Sequence, residues 1–199
     1  MSAVLDCALT RWQPGIGDPT VLGWVSVLVY AATSLMALAV AGRGVFPQAS
    51  ARRERLFWGG LAVAMLFLAV NKQLDLQSFL TAVGRCMARS EGWYRGRRLV
   101  QALFIVALIA AMLLVGVGMV RLMRGTLGRN GLALIGLVFV LTFVLVRAVS
   151  FHHMDVLLDY RVLSVRMNAV LELSGLILIL ICGAYRLGPG AKPVTAQSP

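Results

Sequence analysis

The stretch Leu61-Ala-Val-Ala-Met-Leu-Phe-Leu-Ala-Val-Asn-Lys-Gln-Leu-Asp75 decides the fold. It runs apolar and without alternation to Val70, and Asn71, Lys72 and Asp75 then break it. A hydrocarbon core about 30 Å thick, crossed at about 1.5 Å of rise per residue, takes roughly 20 residues of apolar helix. This run meets that length as part of Leu56–Leu76, and Val21–Ala41, Leu99–Val120, Leu132–His152 and Met167–Leu187 match it. Backbone groups in lipid must be bonded within their own segment, and these runs lack the alternation of barrel strands. The expected fold is therefore all-α: a polytopic membrane bundle of five transmembrane helices.

Composition agrees. Hydrophobic residues make up 59% of the chain and charged ones 14%, against roughly 25% charged in a soluble domain. Mean hydropathy is +0.84. Residues 1–187 are expected to form a single transmembrane domain, and the Pro- and Gly-rich tail 188–199 to be disordered. Met1–Thr20 has no basic start followed by an apolar core, so the first helix is expected to act as an uncleaved anchor.

Between Leu76 and Gly92, Leu76, Phe79, Leu80, Val83 and Met87 recur at spacings of three and four, with Gln77, Ser78, Thr81, Arg85 and Arg89 elsewhere. This predicts an interfacial amphipathic helix over 76–92, followed by Trp93 and Tyr94 at headgroup level. Arg11 alone precedes the first span, whereas Arg43, Arg52, Arg53 and Arg55 follow it, which predicts an outside N-terminus and a cytoplasmic C-terminus in a bacterial inner membrane. Arg121, Arg124, Arg129, Arg186 and Lys192 agree; Arg95, Arg97 and Arg98 oppose. The net charge of +11 flanks helices instead of forming a stripe with interleaved aromatics, which points to anionic membrane lipids and away from nucleic acid.

In this topology the polar interruptions all fall at the outer membrane face. Asn71 and Asp75 share a face of the second span, with Lys72 beside them; Arg147 closes the fourth; Asn168 and Glu172 open the fifth. Ionisable groups at membrane depth are expensive and tend to face a bundle interior, a partner or a substrate path. Asn71, Lys72, Asp75, Arg147, Asn168 and Glu172 are the candidate polar site. His152, His153 and Asp155, with Asp75 or Glu172, are the types that could bind a divalent metal such as zinc. Interhelical pairing that only fixes register is the competing account of the same charges. Cys182 reads as a packing residue, while Cys7 and Cys86 share one face and could pair only if that face is oxidising.

The segments Ala69-Val-Asn-Lys-Gln-Leu-Asp-Leu-Gln77, Gly92-Trp-Tyr-Arg-Gly-Arg-Arg-Leu-Val-Gln101, Arg147-Ala-Val-Ser-Phe-His-His-Met-Asp155 and Asn168-Ala-Val-Leu-Glu-Leu-Ser-Gly175 resemble a pattern in uncharacterised multi-pass bacterial membrane proteins, a resemblance that implies no activity. Ser150, His152, His153 and Asp155 also resemble, in residue type, the zinc site of alkaline-ceramidase-like membrane hydrolases, without the third histidine or the seven crossings. The leading expectation is an integral inner-membrane protein whose polar site near the outer interface binds an ion or a lipid-like headgroup. The alternatives are a metal-dependent hydrolase of a lipid-like substrate and an accessory subunit of a membrane complex with a membrane-protein partner. No Gly-rich phosphate loop, GxSxG elbow or HExxH motif supports a sharper enzyme reading.

Overall fold

The computed structural model describes residues 2–13, 15–90, 92, 97–149, 161–162 and 165–188. The described residues are almost wholly helical: α1 Ser2–Arg11, α2 Val21–Arg43, α3 Gln48–Leu74, α4 Leu76–Ser90, α5 Arg97–Leu122, α6 Leu127–Val149 and α7 Met167–Leu187. Two short segments, Arg161–Val162 and Val165–Arg166, pair antiparallel just before α7. Helix α1 lies where the sequence reading placed no element. Helix α3 begins eight residues before the predicted Leu56, because the basic turn bearing Arg52, Arg53 and Arg55 is helical although it is too polar for a span.

Four helices are long and apolar enough to cross a membrane: α2, α3, α6 over Leu127–Val146 and α7 over Ala169–Leu187. In α5 the corresponding apolar stretch, Val106–Leu122, is shorter among the described residues. Only 28% to 39% of each qualifying window is buried, so most of each helix turns apolar side chains such as Leu28, Leu35, Val63, Phe67 and Ile135 outward. Soluble monomers rarely expose apolar surface on that scale, whereas lipid tails accommodate it.

Each end of α2 and α3 is set by local chemistry. Thr20 caps α2 by accepting from the Gly23 amide at 3.0 Å, and α3 follows Pro47, whose fixed φ suits the turn that precedes a helix. Asp75 ends α3 in the left-handed region, φ 46°, where Asp is among the few non-glycine residues tolerated, and its amide bonds to the Asn71 carbonyl at 3.0 Å. That corner turns the chain directly into α4.

The core is shared by α2, α3, α6 and α7, with α2 packed on α3, α6 on α7, and α2 on α7. Tyr30, Phe57, Trp58, Met65, Val140, Leu176 and Ile179 fill it. Helices α6 and α7 meet backbone to backbone at Gly136 and Gly175: a Cβ on Gly136 would lie 2.5 Å from the Gly175 carbonyl oxygen, and one on Gly175 would lie 2.7 Å from that of Gly136. Small residues let membrane helices approach this closely and gain dispersion contact where no hydrophobic effect drives association. The Ser34 hydroxyl adds an interhelical bond, donating to the Ala62 carbonyl at 2.8 Å.

Candidate functional site

The two ends of the bundle differ in what they bury. At one end, Lys72 in the last turn of α3 donates to both carboxylate oxygens of Glu172 on α7, at 3.1 and 3.0 Å. Lys72 is 9% exposed and Glu172 2%. The Phe143 ring of α6 lies 5.7 Å from the ammonium, a cation–π contact that adds attraction in a dry setting. A second carboxylate, Asp18, stands 4.0 Å from Lys72 and is about a third exposed, 32%.

Asp18 is fixed from three sides. Its Oδ1 accepts from the Thr20 hydroxyl at 2.6 Å, its amide donates to Gln73 Oε1 at 3.4 Å, and the neighbouring Gly17 amide donates to the Gln73 carbonyl at 2.7 Å. Gly23 has to lack a side chain here, since a Cβ would lie 2.4 Å from the Asp18 carboxyl carbon. The segment before α2 is thus stitched to the end of α3, and its carboxylate is held beside the buried pair.

A disulfide joins Cys7 of α1 to Cys86 of α4, 79 residues apart in sequence. Trp12 and Phe79 add a tilted ring contact between the segment after α1 and α4, with centroids 4.9 Å apart. Helix α4 packs on α1 and buries Ala82, Cys86 and Ala88, none of them in the expected stripe; of that stripe, Phe79 meets Trp12 and Met87 is exposed. Because α4 begins one residue after Asp75, the clasped pair α1–α4 belongs to the Lys72–Glu172 end.

The expected site residues divide into three groups. Lys72 and Glu172 meet as an ion pair. Asn71 and Asp75 shape the α3–α4 corner: Asn71 Oδ1 accepts from the Leu76 amide at 3.2 Å, and Asp75 accepts from the Ser78 hydroxyl. Arg147 in α6 and Asn168 in α7 have side chains outside the described set, and His152, His153 and Asp155 lie outside the described residues altogether. Among the described residues, no group of three or more His, Cys, Asp and Glu could hold a metal ion.

Sequence reasoning missed Asp18, although Asp18-Pro-Thr20 before an apolar run is the pattern of a helix start. It also missed the opposite end. There Glu54, fully buried, accepts from Ser50 at 2.7 Å, from Arg129 at 2.7 Å and from Asn130 at 2.7 Å. Asn130 in turn accepts from the Trp58 indole at 3.0 Å. Glu54 was legible as a lone acid among Arg52, Arg53 and Arg55, four residues after Ser50, but nothing local pointed to α6.

No family model, curated protein or solved structure matches the chain. The geometry alone carries the functional reading.

Proposed function

We propose that the chain is a five-span inner-membrane protein whose Lys72–Glu172–Asp18 cluster, near the outer interface, binds a cation, either inorganic or the ammonium of a lipid-like headgroup. The observation that carries this is Asp18. It sets a second, partly open carboxylate 4.0 Å from Lys72 beside the buried Lys72–Glu172 pair, gathering at one mouth of the bundle the oxygen ligands that a hard cation takes. A cation entering beside Asp18 reaches that carboxylate from its open side with little desolvation of the inner pair.

Connectivity supports the fifth crossing. Helix α4 leaves from the Lys72 end, whereas Asn130 in the first turn of α6 bonds to Glu54 at the opposite end, at 2.7 Å. Helix α5 joins the two, and its 26 residues supply about 39 Å at 1.5 Å each. The disulfide supports an outward orientation for the α1–α4 end, because such bonds persist outside the cytoplasm. The excess of arginine at the other end supports the same orientation.

A register-fixing role is the second reading, favoured by the saturation of both Glu172 oxygens by Lys72. Thermal unfolding of the purified protein against Ca2+, Mg2+, Zn2+ and ethanolamine-headgroup lipid separates the two. Cation binding predicts a stabilisation that Asp18→Asn, which keeps an oxygen for Thr20, removes; no stabilisation by any of these leaves the register role. Reporter fusions at Arg129 and Pro199 are expected to read cytoplasmic. Opposite readings at the two positions would refute five spans.

A further inference from the structure

The end of the bundle opposite Lys72 is charged on its outside. Arg43 closes α2, Arg52, Arg53 and Arg55 lie in the first turns of α3, Arg121 lies in the last turn of α5 and Arg124 follows it, and all six are exposed. The only described acid at that end, Glu54, is fully buried and taken by Arg129 at 2.7 Å. Nothing acidic among the described residues offsets the exposed arginines there.

Beside Arg43 the outward face of α2 is hollowed into a groove of about 320 Å³, lined by Leu35, Leu38, Ala39, Gly42 and Arg43. Leu35 and Leu38 are 68% and 60% exposed, so the groove faces the lipid. From Leu35 to Arg43 is about 12 Å along the helix, most of the roughly 15 Å depth of one leaflet. An apolar groove of that length ending in a guanidinium matches a phospholipid acyl chain whose glycerol carries a phosphate.

We propose that this groove seats one anionic phospholipid, its acyl chain along Leu35, Leu38, Ala39 and Gly42 and its phosphate on Arg43. Arginine presents a planar fork of donors that fits phosphate oxygens two at a time. A zwitterionic headgroup would bring an ammonium toward six exposed arginines, whereas an anionic one brings only the charge they lack. A second copy is disfavoured as occupant, since two chains inserted in the same direction would set Arg43 against Arg43. The inference rests on the chain lying in a membrane, but neither on its orientation nor on the Lys72 site.

The test is native mass spectrometry of the full chain in detergent, titrated with phosphatidylglycerol or phosphatidylcholine. One phosphatidylglycerol is expected to stay bound where phosphatidylcholine does not. Arg43→Gln should weaken it about fivefold, the effect of one basic residue near an anionic headgroup. Gly42→Leu should block the groove without disturbing the fold, because a Cβ at Gly42 meets nothing within 4 Å. Equal retention of phosphatidylcholine, or phosphatidylglycerol binding unchanged in both variants, would overturn the proposal. So would a dimer in the wild-type protein that Gly42→Leu abolishes, which would assign the face to a second copy.

Discussion

Lys72 and Glu172, 100 residues apart in sequence, are joined by two hydrogen bonds of 3.1 and 3.0 Å inside the bundle. This ties the end of α3 to the start of α7 and places the cost of two buried charges on one contact. Breaking such a pair from one side typically costs about 3–5 kcal/mol, because the remaining charge stays buried. Glu172→Gln is therefore expected to destabilise strongly in unfolding from mixed micelles. Lys72→Met should cost at least as much, since it takes both of these hydrogen bonds from a carboxylate that stays buried. The double variant Lys72→Met/Glu172→Leu should recover most of the loss; a double variant as unstable as the sum would show that the two residues act independently.

The Glu54 network is expected to behave differently, since it couples a carboxylate to three neighbours across α3 and α6 and, through Asn130, to Trp58. Trp58→Phe removes one donor and leaves Asn130 Oδ1 short of a partner, at a cost of about 1–3 kcal/mol. Glu54→Ala should cost more, as it strands Ser50, Arg129 and Asn130 together. Equal and small losses in both variants, measured by the same unfolding assay, would mean that water reaches this end.

Reductant should change the mobility of the unheated protein in a denaturing gel, through opening of the Cys7–Cys86 bond. Cys7→Ser should reproduce the reduced mobility without reductant and lower stability by about 2–4 kcal/mol, the usual effect of losing a loop-closing disulfide. Expression in a strain unable to form disulfides outside the cytoplasm should give the reduced form. Persistence of the bond in such a strain would contradict the proposed outward orientation of α1 and α4.

At the α6–α7 crossing, Gly136→Ala is expected to cost about 1–3 kcal/mol by overpacking, because the new Cβ would lie 2.5 Å from the Gly175 oxygen and 2.8 Å from Ile179 Cγ1. Gly116→Ala in α5 is the matched control, with nothing within 4 Å of its added carbon. Propensity alone favours Ala over Gly by about 1 kcal/mol in a helix interior, so a gain at Gly116 beside a loss at Gly136 locates the cost in the crossing, and a comparable loss at both would sink the packing account.

The sequence by itself determined that this is a helical membrane protein, and where its long helices run. Both follow from local quantities: an apolar run of spanning length needs no partner to be recognised, and α7 runs over the predicted Met167–Leu187. That a helix follows Asp75 was equally legible, as was Glu172 at a depth where it needs a partner. The tertiary structure decided which partner. Lys72 and Arg147 were equivalent candidates along the chain; the fold sets Lys72, at the end of α3, 3.0 Å from Glu172, while the side chain of Arg147 lies outside the described set. Likewise, the pairing of Cys7 with Cys86 depends on α1, whose ten residues carry no span signal. Asn71 and Asp75 share a helix face as ligands would, yet the turn into α4 uses them as a corner. The Glu54 network stayed hidden for the same reason. A charge's depth is written in its own helix, but what neutralises it is fixed by how the other helices pack.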